Sequence, residues 1–113
     1  MKEIKAILQS HIVSRVVRAL HELPRFPGLT LSDARGQGHG RGAGGSFKLT
    51  EDDIDYHRKV ILEVVCDDDL ATNIAETIRQ AAHTGNKGDG IILISGLAEV
   101  IRIRTGEKQE QAV

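Results

Sequence analysis

Two short stretches hold the residues best suited to chemistry. Residues 84–90 read TGNKGDG, with glycines at 85, 88 and 90 around a lysine and an aspartate. Glycines let backbone approach a ligand without side-chain clash, and their amides can donate to phosphate oxygens. No glycine-lysine-serine/threonine step is present, so this is not a Walker loop. Taken alone, it reads first as a tight connection whose glycines supply positive φ angles. Residues 100–106 read VIRIRTG. If Val100 to Thr105 is extended, Arg102 and Arg104 project to one side and Ile101 and Ile103 to the other. Two guanidiniums on one face repel unless solvated or bridged by an anion, and arginine's planar fork suits phosphate. A solvated basic strand edge would look the same. Together, the glycine loop and the arginine pair point to a polyphosphate ligand.

Other reactive types are less organised. Five histidines (His11, His21, His39, His57 and His83) form no Cys/His cluster and no helical i, i+4 pair, so each reads as a solvated or hydrogen-bonded residue. His39 and His57 flank a long loop that also holds Asp52, Asp53 and Asp55, which leaves a weak metal site open there. The single cysteine, Cys66, cannot form an internal disulfide and reads as a small buried strand-end residue in a reducing compartment. No serine, cysteine or paired-carboxylate constellation has identifiable partners, so a binding module ranks above an enzyme. Arg35 and Arg41 lie among glycines as in segments that contact single-stranded nucleic acid, yet no stacking aromatics accompany them.

The whole chain sets the frame for these residues. Its 113 residues fit one domain with a modest core, at 40% apolar and 27% charged. A net charge of −1 gives no bulk attraction to nucleic acid or to an acidic membrane, so nucleic-acid binding is not expected. No apolar run approaches the roughly 20 residues that span a bilayer, and the opening MKEIKAILQSH lacks a signal-peptide core. The expected compartment is the cytoplasm.

The spacing of apolar residues predicts the elements. Glu3 to Leu8 is a strand, and His11 to Leu23 is a helix with Val13, Val16, Val17, Leu20 and Leu23 on one face and Ser10 as its cap. Pro24, Pro27 and Gly28 stop that helix. Leu29 to Ala34 alternates as a second strand. A glycine-rich excursion follows, a flexible loop at about 38–58. Lys59 to Cys66 is the third strand, and Asp67, Asp68 and Asp69 suit the positive end of a helix over Leu70 to Ala82. Ile91 to Ile94 is the fourth strand, and a C-terminal loop covers about 102–113. This order is an α+β ferredoxin-like βαββαβ domain over 1–113, a four-stranded antiparallel sheet with two helices on one face. Its other sheet face has no cover within the chain, and a cyclic trimer would supply one.

The segments MKEIKAIL, PGLTLSDARGQG, TGNKGDG and VIRIRTGEKQEQAV resemble the nitrogen regulatory P-II signal-transduction proteins over nearly the whole chain. The resemblance implies a ferredoxin-like homotrimer with nucleotide clefts between subunits. It implies an adenine nucleotide (ADP, AMP or ATP) as ligand, contacted by Thr30, Gly36, Gly38, Val65, Gly88, Asp89, Gly90, Arg102 and Arg104, the arginines reaching across a subunit boundary. It also implies a partner-binding loop, here with His39, Arg41, Asp52 and Asp53, that regulates a protein partner such as a membrane transporter.

Several positions depart from the family pattern. Ile91 stands where a lysine usually follows GDG, and Asn86 stands where a lysine usually follows threonine-glycine, which makes ADP or AMP a serious competitor of ATP. Gly40 stands where oxo-acid-sensing members carry a glutamine that helps hold Mg-ATP and 2-oxoglutarate, although Lys59 matches the lysine that pairs with the oxo-acid. The role of Mg stays open. The tyrosine motif used for uridylylation is absent. These departures suggest a divergent branch, with slow ATP hydrolysis or a metal-responsive role beside heavy-metal efflux as alternatives.

Overall fold

A computed structural model describes residues 1–36 and 58–113. Residues His39, Arg41, Asp52 and Asp53, the glycines at 38 and 40, and the loop expected at 38–58 up to residue 57 lie outside the described residues. Strand β1 (Lys2–Gln9) leads through a 3-10 turn (Ser10–Ile12) into helix α1 (Val13–His21). Strands β2 (Thr30–Arg35) and β3 (Arg58–Cys66) follow, then helix α2 (Asp68–Ala82) and strand β4 (Ile91–Gly96). The strand order β2-β3-β1-β4 is antiparallel throughout, which is the ferredoxin-like arrangement.

Alternation along the strands explains why both helices settle on one face. Ile4, Ala6 and Leu8 of β1 are buried, as are Leu62, Val64 and Cys66 of β3, while the residues between them are only partly covered. The register pairs Ile4 with Val64 and Ala6 with Leu62, so these side chains share a face. Val16 and Leu20 of α1 and Ala71, Ile74, Ile78 and Ala82 of α2 close over them. Val13, Val17 and Leu23 pack against the rim of that core. Cys66 sits fully inside, and burial pushes its thiol pKa up, with Asp67 adding to the effect, so it is an inert packing residue.

Three local readings need correction. Ser10 caps nothing: the turn before α1 is 3-10, and neither helical N-terminus there has a side-chain cap bond. The helix is accordingly shorter than His11 to Leu23, ending at His21 before Arg25 takes a positive φ of 58°. The third concerns the C-terminal segment. Val100 to Thr105 is not one extended strand; residues 103–105 turn, the Gly106 N–H donates to the Arg102 carbonyl at 2.8 Å, and Ile101 bridges back to Lys108. Gly106, at a φ of +74°, permits the reversal.

At the start of α2 the expectation holds. Asp68 and Asp69 lie in the first turn, and Asp68 pairs with the Met1 amino group at 2.8 Å. That contact lowers the Asp68 pKa, and the helix dipole favours the same charge.

Candidate functional site

The connection from α2 to β4 must carry the chain from the helix layer to an edge strand within residues 83–90. Asp89 organises it from inside. Its carboxylate accepts from the Thr84 N–H at 2.8 Å, from the Gly85 N–H at 3.0 Å and from the Thr84 hydroxyl. The Thr84 hydroxyl oxygen in turn accepts from the Asn86 N–H at 3.1 Å. These bonds, the Thr84 hydroxyl first, hold the Asp89 pKa below the usual carboxylate range, with His83 at 3.7 Å adding a smaller pull. Asp89 therefore spends its charge on shaping the loop. The amides it does not engage are those nearer the loop tip.

In this loop Gly90 is required by space and Gly88 by its backbone, whose φ is +95°. A Cβ on Gly90 would lie 1.9 Å from the Ile7 carbonyl oxygen, inside the β1 backbone, and its φ of +108° is already unsuited to other residues. A Cβ on Gly88 would lie 2.6 Å from Gln9 Nε2 and 3.9 Å from Lys59 Nζ. The loop thus lies flat against the ends of β1 and β3. Lys59 links it to the start of the long segment: its ammonium donates to the Gly88 carbonyl at 3.5 Å, and its Cγ is 3.7 Å from where a Gly36 Cβ would stand.

Gly36, Gly88 and Gly90 are therefore gathered, through Lys59 and β1, at one end of the sheet. Thr30 and Val65 lie farther along the strands, opposite Glu63 and Glu3, on the face away from the helices. Gln9 was not anticipated from sequence, although its place as the last residue of β1 beside Lys59 puts it against the loop.

The arginines are not part of this gathering within one chain. Strand β4 runs away from the loop, pairing Ile91 with Ile7 and Gly96 with Lys2, so the chain reaches Arg102 from the opposite end of the sheet. The turn changes the arginine pair as well: alternate-side geometry no longer applies. Arg102 is half-buried, with its Nε 4.0 Å from Glu107 Oε1, an ion pair too long for a hydrogen bond, and that Nε finds no hydrogen-bond partner. Arg104 is exposed beside Ile103, which is 100% exposed at the tip of the turn. An unpartnered guanidinium nitrogen and an apolar tip in water both fit a segment that seats against another surface.

The donor set suits a polyphosphate: backbone of a glycine loop, the Lys59 ammonium and two guanidiniums. Among the described residues, no group of three or more His, Cys, Asp or Glu could hold a metal ion. No helix among them is long and apolar enough to cross a membrane.

The frame is a ferredoxin-like domain with a glycine loop laid against its strand ends and a basic C-terminal turn. Comparison with known proteins gives the family. The pattern described as Nitrogen regulatory protein P-II matches residues 1–107. The chain is 42% identical over 113 residues to Nitrogen regulatory protein P-II of Azospirillum brasilense, covering all of both chains. It is 41% identical over 113 residues to Nitrogen regulatory protein P-II 2 of Methanothermobacter thermautotrophicus, covering all of this chain and 97% of that one. Against Nitrogen regulatory protein P-II 1 of Escherichia coli K12 the identity is 36% over 113 residues, again covering all of both. This chain belongs to the nitrogen regulatory P-II family, whose members are non-enzymatic signal transducers.

Proposed function

We propose that this P-II protein is a cytoplasmic homotrimer that binds an adenine nucleotide in a cleft shared by two subunits. One subunit supplies the loop end with Gly36, Lys59, Gly88 and Gly90, and its neighbour supplies Arg102 and Arg104. Bound nucleotide then sets the conformation of residues 38–58, which control a protein partner, a membrane transporter being the class we favour. Ligands act on such a loop only through a difference in affinity between its conformations. The departures at Gly40, Asn86 and Ile91 support a reading of the chain as a divergent branch in which ADP or AMP competes with ATP.

The observation that carries this reading is the separation of the two halves of the donor set. The glycine loop and the arginine turn leave the sheet from opposite ends of β4, while Arg102 Nε stays without a hydrogen-bond partner. A second subunit brings such halves together. Calorimetry with ADP, AMP and ATP tests the site. Arg104→Ala removes a charge-assisted contact of about 1.5–3 kcal/mol, roughly tenfold or more in Kd. If none of the three nucleotides binds, or if Arg102→Ala and Arg104→Ala bind unchanged, the assignment is wrong. A pull-down with ADP and with ATP then identifies the partner.

A further inference from the structure

The arginine turn is the outer end of a small hairpin whose closing pair is irregular. Gln109 faces Val100, Lys108 bridges Ile101, and Arg102 faces Glu107, consecutive rows of one antiparallel register. At the row nearest the turn, the Arg102 N–H donates to the Glu107 carbonyl at 2.8 Å and the Arg102 carbonyl accepts from the Gly106 N–H at 2.8 Å. At the open end, the Gln109 N–H donates to the Val100 carbonyl at 2.9 Å. A regular pair would return that bond from the Val100 N–H to the Gln109 carbonyl. Here the Val100 N–H donates instead to the Gln109 side-chain oxygen, Oε1, at 3.1 Å. The cause lies in the backbone: Gln109 has a φ of +56° and opens the 3-10 turn Gln109–Ala112, so strand geometry stops at that residue. Among the described residues, Gln109 and Arg25 are the non-glycines with a positive φ. A side-chain-bearing residue keeps such a conformation where its surroundings over-determine it, and the two bonds to Val100 do so.

We infer that Gln109 is a positioning residue for nucleotide binding, whose side-chain amide closes the open end of the hairpin and thereby holds Arg102 ready for a phosphate oxygen. The inference rests on the proposed nucleotide site and adds to it a residue that touches no ligand. Arg102 stands next but one to Val100, its backbone is bonded on both sides, and its Nε has no hydrogen-bond partner 4.0 Å from Glu107. The hairpin thus fixes the root of the side chain and leaves that nitrogen for a ligand. Without Oε1 the part-buried Val100 N–H loses its acceptor, and the hairpin opens from that end toward Arg102. Binding must then re-order the loop, which lowers affinity although no ligand contact has been removed.

The test uses the full-length protein and calorimetry with ADP. Gln109→Met keeps the side-chain length and removes the acceptor, whereas Gln109→Gly removes the acceptor and tolerates the positive φ. Both should bind ADP roughly threefold to tenfold more weakly than wild type. In an Arg102→Ala background, Gln109→Met should weaken binding no further, because its effect passes through that guanidinium. Amide exchange without nucleotide should be faster in Gln109→Met at Val100, Arg102 and Gly106 and unchanged in β1 and β3, whereas a general structural role would move both sets. The inference is overturned if Gln109→Met or Gln109→Gly binds ADP as wild type does, if the methionine costs as much without Arg102 as with it, or if the core amides speed up equally. A wild type that binds no ADP removes the nucleotide reading and this inference together. A wild type that binds ADP, matched by Gln109→Met, removes this inference alone.

Discussion

At the scale of single residues, Asp89 and Gly90 were legible as types and not as roles. A GDG step advertises an anion loop, but only the fold shows that the aspartate turns inward to hold Thr84 and Gly85 and that Gly90 is pressed on the Ile7 carbonyl. Because Asp89 has a depressed pKa, its contribution to stability is present above the unfolded value of about 4 and is lost as pH falls through the folded one. Asp68 and Glu76 are depressed as well, yet both remain in an Asp89→Asn variant and cancel in the comparison. Urea midpoints measured from neutral to acid pH should therefore show wild type above Asp89→Asn at neutral pH, with the gap closing below about pH 4. A gap independent of pH would assign the loss to something other than the carboxylate. Gly40 makes its own prediction. It offers no amide oxygen to a metal or an oxo-acid, and Lys59 alone is one partly screened charge already shared with Gly88. Titrating 2-oxoglutarate into the Mg-ATP complex should give no saturable micromolar binding. If it does bind in that range, another residue replaces the missing glutamine.

At the scale of elements, periodicity located the four strands and two helices of the described residues, because each presents one apolar face to a single core. Ends were less legible. Helix α1 begins with a 3-10 turn and no cap bond, so no local chemistry marks its start, and β4 extends two residues past Ile94 because Lys2 continues the ladder to Gly96. The arginine segment misled for a clear reason: VIRIR alternates like a strand, while the reversal depends on the Gly106 backbone just beyond it. The apolar face of α1, which was read well although its ends were not, also gives the sharper test. Leu20 is fully buried in the core that α1 shares with α2 and the sheet, so Leu20→Ala should cost about 2–5 kcal/mol and lower the urea midpoint without changing the slope. A cost below about 0.5 kcal/mol would be that of a surface position and would remove α1 from the core.

At the scale of the whole molecule, one sheet face carries Ile7, Ile61, Val65 and the more exposed Ile91 and Leu93 with no covering element among the described residues. The sequence implied this uncovered face through its two-helix count. It could not show that the glycine loop and the arginine turn point away from each other along β4, since that follows from strand direction and register. The central claim, that each nucleotide site is completed by a neighbouring subunit, is tested most directly by complementation. Gly88→Ala puts a Cβ at a φ of +95° against Gln9, and Arg104→Ala removes the opposing charge. Each variant alone should sediment at three times the chain mass and bind ADP at least roughly tenfold more weakly than wild type. Co-expressed mixed trimers should recover wild-type ADP affinity in a fraction of their sites, because some interfaces join an intact loop to an intact Arg104. Mixed assemblies with no high-affinity sites would show that loop and arginine act within one chain, and would contradict the account.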